Sequence, residues 1–141
     1  MLGCGRDDAA DYREKGNELC REAAREVERL DTPLTADELV RFFERATDIA
    51  ARSQDEFAAL DPPDELEQVH ERAVREGNRQ ERFVRDLIER MRASEQPQRL
   101  IQDELDRFQR MIRRGEALNR RLGLEECNEV GLPGGEGETS S

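Results

Sequence analysis

The sequence predicts an all-α fold, an antiparallel up-down-up-down four-helix bundle, on three observations. Helix-forming residues dominate, with 4% aromatic residues and no tryptophan, and this composition favours helices over strands. Apolar residues recur at alternating steps of three and four in four segments, which is the spacing of one helical face. Short linkers separate the segments, so successive helices must run in opposite directions.

The first two helices are separated by a clear break. The first segment carries an apolar stripe from Tyr12 to Leu30, and the residues over 31–33, Asp-Thr-Pro, end it. Thr35 then opens the second helix, because Glu38 three residues later completes a capping box. The stripe that follows keeps its spacing for three heptads and is the most regular in the chain.

The third and fourth helices are delimited by proline and glycine. The Asp-Pro-Pro sequence over 61–63 ends the second helix and starts the third, which we expect over 63–93. A glycine in mid-helix costs about 1 kcal/mol relative to alanine, so the sequence leaves open whether the third helix bends or breaks near Gly77 and Asn78. The fourth helix begins near Pro97, and Gly123 suits its C-terminal cap.

The ends of the chain differ from this helical part. We expect residues 1–8 to form a short tether, 9–130 the bundle, and 131–141 a disordered acidic, glycine-rich tail with almost nothing to bury. The net charge is −11, with acidic residues spread along the chain. Such a surface repels phosphate backbones, so nucleic acid is not expected as a partner.

Two of the cysteines lie 107 positions apart, Cys20 in the first helix and Cys127 after the fourth. The start of the first helix and the end of the fourth meet at the same end of this topology, so Cys20 and Cys127 come close if the chain after Gly123 turns back along the first helix. We expect a disulfide, which requires an oxidising compartment. The alternative is two reduced cysteines, one in the core and one in a loop.

The third cysteine, Cys4, follows Met1-Leu2-Gly3, which resembles the end of a bacterial lipobox. The charged and apolar parts of a signal peptide are not in the sequence. We expect the true start to lie upstream and Cys4 to carry a lipid that anchors the protein to the membrane. A diacylglyceryl group supplies two acyl chains, which suffice for stable anchoring. The alternative is that Met1 is the true start and Cys4 an ordinary exposed thiol.

Four short motifs resemble a group of small uncharacterised secreted or lipid-anchored proteins of high-GC Gram-positive (actinobacterial) bacteria. They are Leu2-Gly3-Cys4-Gly5, Glu18-Leu19-Cys20-Arg21, Leu60-Asp61-Pro62-Pro63 and Leu122-Gly123-Leu124-Glu125-Glu126-Cys127. One lysine among 23 basic residues is consistent with high-GC coding. The resemblance implies an extracytoplasmic helical domain with a terminal disulfide, and it implies no activity.

Catalytic and metal-binding constellations are missing from the sequence. Glu67 and His70 have the Glu-x-x-His spacing of di-iron bundles, but those sites need a second such motif and His70 is the only histidine. No nucleophile motif accompanies it, and no glycine-rich phosphate loop occurs. We therefore expect no enzyme, no cofactor and no metal.

Glycines occupy inner-face positions where bundles usually place large apolar residues. Gly16, Gly77 and Gly115 either let helices pack closely or leave a small apolar pocket. In the second case neighbouring large side chains line the pocket, and we expect these to be Phe57, Phe108 and Ile112.

The sequence thus favours a non-enzymatic, membrane-tethered extracytoplasmic lipoprotein of unknown binding role. Its partner would be an envelope protein or a small apolar ligand. The alternative is a cytosolic interaction module, a reduced bundle whose acidic surface meets a basic partner.

Overall fold

A computed structural model of the chain describes residues 8–129 and confirms the all-helical bundle. The elements are α1 (Asp8–Glu28), α2 (Ala36–Ala58), a 3-10 turn (Asp64–Leu66), α3 (Glu67–Arg92), α4 (Pro97–Leu122) and a C-terminal turn (Glu125–Glu129). None of these helices is both long and apolar enough to cross a membrane. The predicted lipidation site Cys4 and the tail over 131–141 lie outside the described residues.

The predicted helix boundaries hold where a specific cap fixes them. The Glu38 amide donates to the Thr35 hydroxyl at 3.1 Å, and the Glu38 carboxylate accepts from the Leu34 amide at 2.8 Å, as in a capping box. Helix α4 begins at Pro97. It ends at Gly123, whose φ of +79° is the left-handed conformation that glycine adopts at helix ends.

The start of α3 differs from the prediction. The helix begins at Glu67, after the 3-10 turn, rather than at Pro63. The residue before a proline is disfavoured in the helical region, and Pro62, which precedes Pro63, lies outside the helices. Pro63 is itself extended, with φ −65° and ψ 159°, and its carbonyl accepts the Leu66 amide at 2.9 Å. The double proline therefore delays the helix by one turn.

Helix α3 has no break at Gly77, because it is continuous from Glu67 to Arg92. The helix packs on α2 along one side and on α4 along the other. Tertiary packing of this kind supplies most of the stability of a helix in a protein. It outweighs the propensity cost of about 1 kcal/mol for one glycine.

Sequential helices pack against one another, but α1 and α4 share almost no direct contact. The C-terminal turn lies between them and contacts both. Helix α1 is therefore held by α2 and, at its middle, by the C-terminal turn, which contacts Asn17, Cys20 and Arg21.

The apolar interior is divided into two clusters. One contains Val40, Leu87, Ile88 and Met91, and the other contains Tyr12, Leu122 and Leu124. Between them, the predicted inner stripe is not fully covered: Ala50 on α2 is exposed and Leu105 on α4 is 41% exposed. The middle of the bundle is thus less densely filled than its ends.

Candidate functional site

A cavity of about 340 Å³ occupies the middle of the bundle, and all four helices contribute to its wall. We call it the central cavity. The structure places all six residues of the expected pocket in this wall, namely Gly16, Phe57, Gly77, Phe108, Ile112 and Gly115. Its volume lies at the lower end of the range of small-molecule sites, about 300–1,000 Å³.

The C-terminal turn closes part of the cavity over Gly16. A Cβ atom at Gly16 would lie 2.8 Å from the nearest methyl carbon of Leu124. The absent side chain therefore leaves room for Leu124, which is 1% exposed and packs in the cluster with Tyr12 and Leu122. This glycine serves close packing.

The other two glycines each make room for a glutamine. Gln54 of α2 donates to the Val74 carbonyl at 3.1 Å, and a Cβ at Gly77 would lie 2.5 Å from its side-chain oxygen. Gln80 of α3 donates at 2.9 Å to a backbone carbonyl of α4, and a Cβ at Gly115 would lie 2.9 Å from its amide nitrogen. A helical side chain covers the preceding turn, so glycine leaves these carbonyls accessible to a neighbouring helix.

The predicted disulfide between Cys20 and Cys127 is present, and both residues line the central cavity. Their Cα atoms are 5.0 Å apart. The C-terminal turn runs back along α1, as the pairing requires. Further contacts hold it there: the Asn17 side chain accepts from the Glu126 amide at 3.1 Å, and Arg21 donates to the Glu126 carboxylate at 2.8 Å.

Glu76 is a buried carboxylate in the cavity wall that sequence reasoning missed. Its side chain is 8% exposed, and its Oε2 atom has no hydrogen-bond partner among the described residues. Arg114 Nε lies 3.6 Å from Oε2, and an Arg79 nitrogen lies 3.8 Å from Oε1. The residue directly precedes Gly77 and flanks the apolar stripe, which gave no sign that the carboxylate is buried.

A second buried polar group, the pair of Tyr12 and His70, lies at the end of the bundle where α1 begins. The Tyr12 hydroxyl lies 2.7 Å from Nδ1 of His70, which is 5% exposed and packs against the Phe57 ring at a centroid distance of 4.6 Å. Burial raises the pKa of Tyr12, so its hydroxyl stays protonated in the hydrogen bond with the imidazole. The Ala58 backbone makes a further hydrogen bond with the ring. His70 is therefore a satisfied core residue.

The Glu67-His70 pair forms no metal site in this structure. No group of three or more histidine, cysteine or acidic side chains is arranged for a metal ion within residues 8–129. His70 uses its ring nitrogen for Tyr12 instead.

The buried imidazole predicts a pH dependence of stability. Burial lowers the pKa of His70 from 6.5, more than the hydrogen bond to Ala58 raises it, so the unfolded chain binds this proton at a higher pH than the folded chain. The contribution to stability is complete above pH 6.5 and is lost as the pH falls towards the folded-state pKa. Urea unfolding between pH 7.5 and 5 is expected to show a smaller loss of stability in His70→Gln than in the natural chain. Equal losses in the two proteins would contradict this assignment.

Comparison of the chain with family models, with curated proteins and with solved structures gives no match. The fold and the site define a disulfide-linked four-helix bundle with a cavity between its two apolar clusters.

Proposed function

We propose that this protein is a non-enzymatic, membrane-tethered extracytoplasmic bundle that holds one small apolar ligand in its central cavity. The observation that carries the proposal is the cavity itself, which occupies the position where a bundle of this kind normally places a filled core. Its apolar wall comes mainly from small residues and a few phenylalanines.

The wall has the composition of a ligand site. Small-molecule sites are concave and mostly apolar, with a few polar groups that fix the orientation of the ligand. The central cavity combines Phe57, Phe108 and Ile112 with polar residues that include Gln54, Glu76 and Gln80. The glutamines use one N–H group each on backbone carbonyls. This combination of apolar and hydrogen-bonded polar side chains supports a site that binds a ligand selectively rather than a loosely packed core.

The disulfide supports the extracytoplasmic location. Crosslinks of this kind persist in oxidising compartments and are rare in the cytosol. The lipid on Cys4 is part of the same proposal and explains how a chain with a net charge of −11 would stay at a membrane surface.

Ligand binding can be tested with Prodan, an uncharged naphthalene dye without a hydrogen-bond donor. We expect saturable binding of one dye per chain, detected as a blue shift and gain in fluorescence. Replacing Ala50 by phenylalanine fills the cavity from its exposed edge and is expected to weaken binding about tenfold or more, a change of about 1.4 kcal/mol in binding free energy. Ala50 lines the cavity and is itself exposed, so the larger side chain need not disrupt the core.

The matched control is Ala117→Phe. Ala117 is exposed on α4 and does not line the cavity, so the same added ring should leave dye binding unchanged. Absence of saturable binding, or equal affinities in the natural chain and Ala50→Phe, would rule out the cavity as the site.

A further inference from the structure

We infer that the ligand of the central cavity is a neutral amphiphile, an apolar chain or ring that carries one hydroxyl or amide N–H donor, and that the Glu76 carboxylate accepts its hydrogen bond. The inference rests on the proposed function, because it identifies the chemical class that the same cavity selects. Glu76 lines the cavity, and its side chain is 8% exposed.

Oε2 of Glu76 is a buried acceptor without a hydrogen bond, and this observation points to a ligand that donates one. An unpaired buried acceptor costs about 1–3 kcal/mol, and more when it is charged. Oε2 is shielded from water and accepts no hydrogen bond from any described residue. A donor brought by a ligand would remove this penalty. A ligand with a donor therefore gains binding free energy that an apolar ligand does not.

A second buried glutamate shows that the fold can satisfy such a group. Glu104 on α4 has a side chain that is 12% exposed, and it accepts from Arg90 at 3.1 Å and from Arg107 at 3.0 Å. Glu76 has two arginines near it as well, but at 3.6 and 3.8 Å both stay beyond hydrogen-bond distance. The missing bonds at Glu76 are therefore particular to the residue in the cavity wall.

The two arginines decide the charge of the expected ligand. Arg79 and Arg114 lie close enough to offset the charge of Glu76. An alkylammonium ion would add a third positive charge to this group, and a neutral donor adds none. The site thus favours a hydroxyl or an amide over an amine.

The contact requires the carboxylate to rotate, because Oε2 is closed even to a water molecule in the structure. The terminal torsion of a glutamate side chain is broad, so the carboxylate can turn an oxygen towards an occupant. Gln80 is one helical turn along α3 from Glu76, and both line the cavity together with the phenylalanines.

The test measures displacement of Prodan by four eight-carbon probes: 1-octanol, its isomeric ether 1-methoxyheptane, octylamine and octanoate. The alcohol and the ether have the same formula and nearly the same size, and only the alcohol has a hydrogen-bond donor. We expect 1-octanol to bind about tenfold or more tightly than the ether, as one hydrogen bond to a charged group provides. Octylamine and octanoate are expected to bind more weakly than 1-octanol.

The variant Glu76→Leu removes the acceptor and is expected to bind 1-octanol and the ether within about threefold of each other, because the hydrogen bond is lost. Glu76→Gln, which keeps the shape of the side chain, should retain an intermediate preference. The control is Glu104→Leu, because Glu104 is the buried glutamate of α4 and does not line the cavity. This variant should keep the full preference of the natural chain.

The outcomes separate the two proposals. If Prodan binds but the natural chain holds 1-octanol and the ether equally, the role of Glu76 is overturned and the cavity remains a ligand site. Tighter binding of octylamine or octanoate would also overturn it, because the recognised group would then be charged. If neither Prodan nor any probe binds, both the proposed function and this inference fail.

Discussion

Replacing Cys20 and Cys127 together by serine is expected to lower the free energy of unfolding by about 4–5 kcal/mol, the chain-entropy value for a loop of this length. The disulfide joins residues 107 positions apart. It also links α1 directly to the C-terminal turn, which stands where a closed bundle would have α1 packed on α4. Because small domains are stable by about 5–15 kcal/mol in all, this is a large share of the total.

Urea unfolding of the natural chain and the double serine variant measures this effect. The reduced natural chain should match the variant, and a reducing agent should leave the variant unchanged. The slope of free energy against urea concentration should rise when the crosslink is removed, since the unfolded chain becomes less compact. A loss below about 1 kcal/mol would show that the noncovalent contacts of the C-terminal turn hold α1 unaided.

The second large effect is expected for Leu124→Ala. Leu124 is 1% exposed, packs in the cluster with Tyr12 and Leu122, and lies over Gly16 at the edge of the central cavity. Truncation of a fully buried leucine costs about 2–5 kcal/mol through lost apolar burial and the space left behind. The affinity for Prodan should also change, because the truncation opens the cavity wall.

Leu105→Ala is the matched control for this substitution. Leu105 is 41% exposed on α4, and its truncation should change the free energy of unfolding by no more than about 0.5 kcal/mol. Similar losses in the two variants would contradict the packing described for the C-terminal turn. The effect of Leu124→Ala should not simply add to that of the cysteine variant, since both act on the same turn.

The disulfide and the cavity form one structural unit. Cys20 and Cys127 are themselves cavity-lining residues, so the crosslink fixes the distance between α1 and the C-terminal turn at the cavity wall. A pre-formed site loses less conformational entropy on binding. Covalent closure at this position is therefore consistent with a bundle that binds a ligand in a rigid cavity.

Most of the fold could be predicted from the sequence, because its determinants are local. The stripe in each helix, the Thr35 capping box and the glycine cap at Gly123 are readable from spacing. The pairing of Cys20 with Cys127 followed from the helix order and the short loops.

Two local features of α3, its continuity at Gly77 and its start at Glu67, could not be determined from the spacing of apolar residues. Gly77 leaves α3 intact because neighbouring helices pack on both sides of it and Gln54 binds a backbone carbonyl beside it. The start of α3 moves to Glu67 because Pro63 is extended rather than helical. In both cases the outcome depends on backbone conformation and tertiary contacts that helical periodicity does not encode.

The polar residues of the candidate site could not be predicted from the sequence either. Glu76 and His70 flank the apolar stripe, as many exposed residues do, and only the assembled bundle shows that both are buried. The partnership of His70 with Tyr12, 58 positions away, depends on how α1 meets α3. The glycine positions, by contrast, pointed to the cavity region because inner-face glycines interrupt an otherwise large-residue stripe.

The central claim of an exported, crosslinked and lipid-anchored bundle is tested most directly by peptide mapping of the protein isolated from its own cells. Free thiols are trapped with an alkylating reagent at lysis, and the digest is analysed without reduction. We predict one crosslinked peptide containing Cys20 and Cys127, neither alkylated, and a diacylglyceryl group on Cys4. Recovery of all three cysteines as alkylated thiols would contradict the account and favour a reduced cytosolic interaction module.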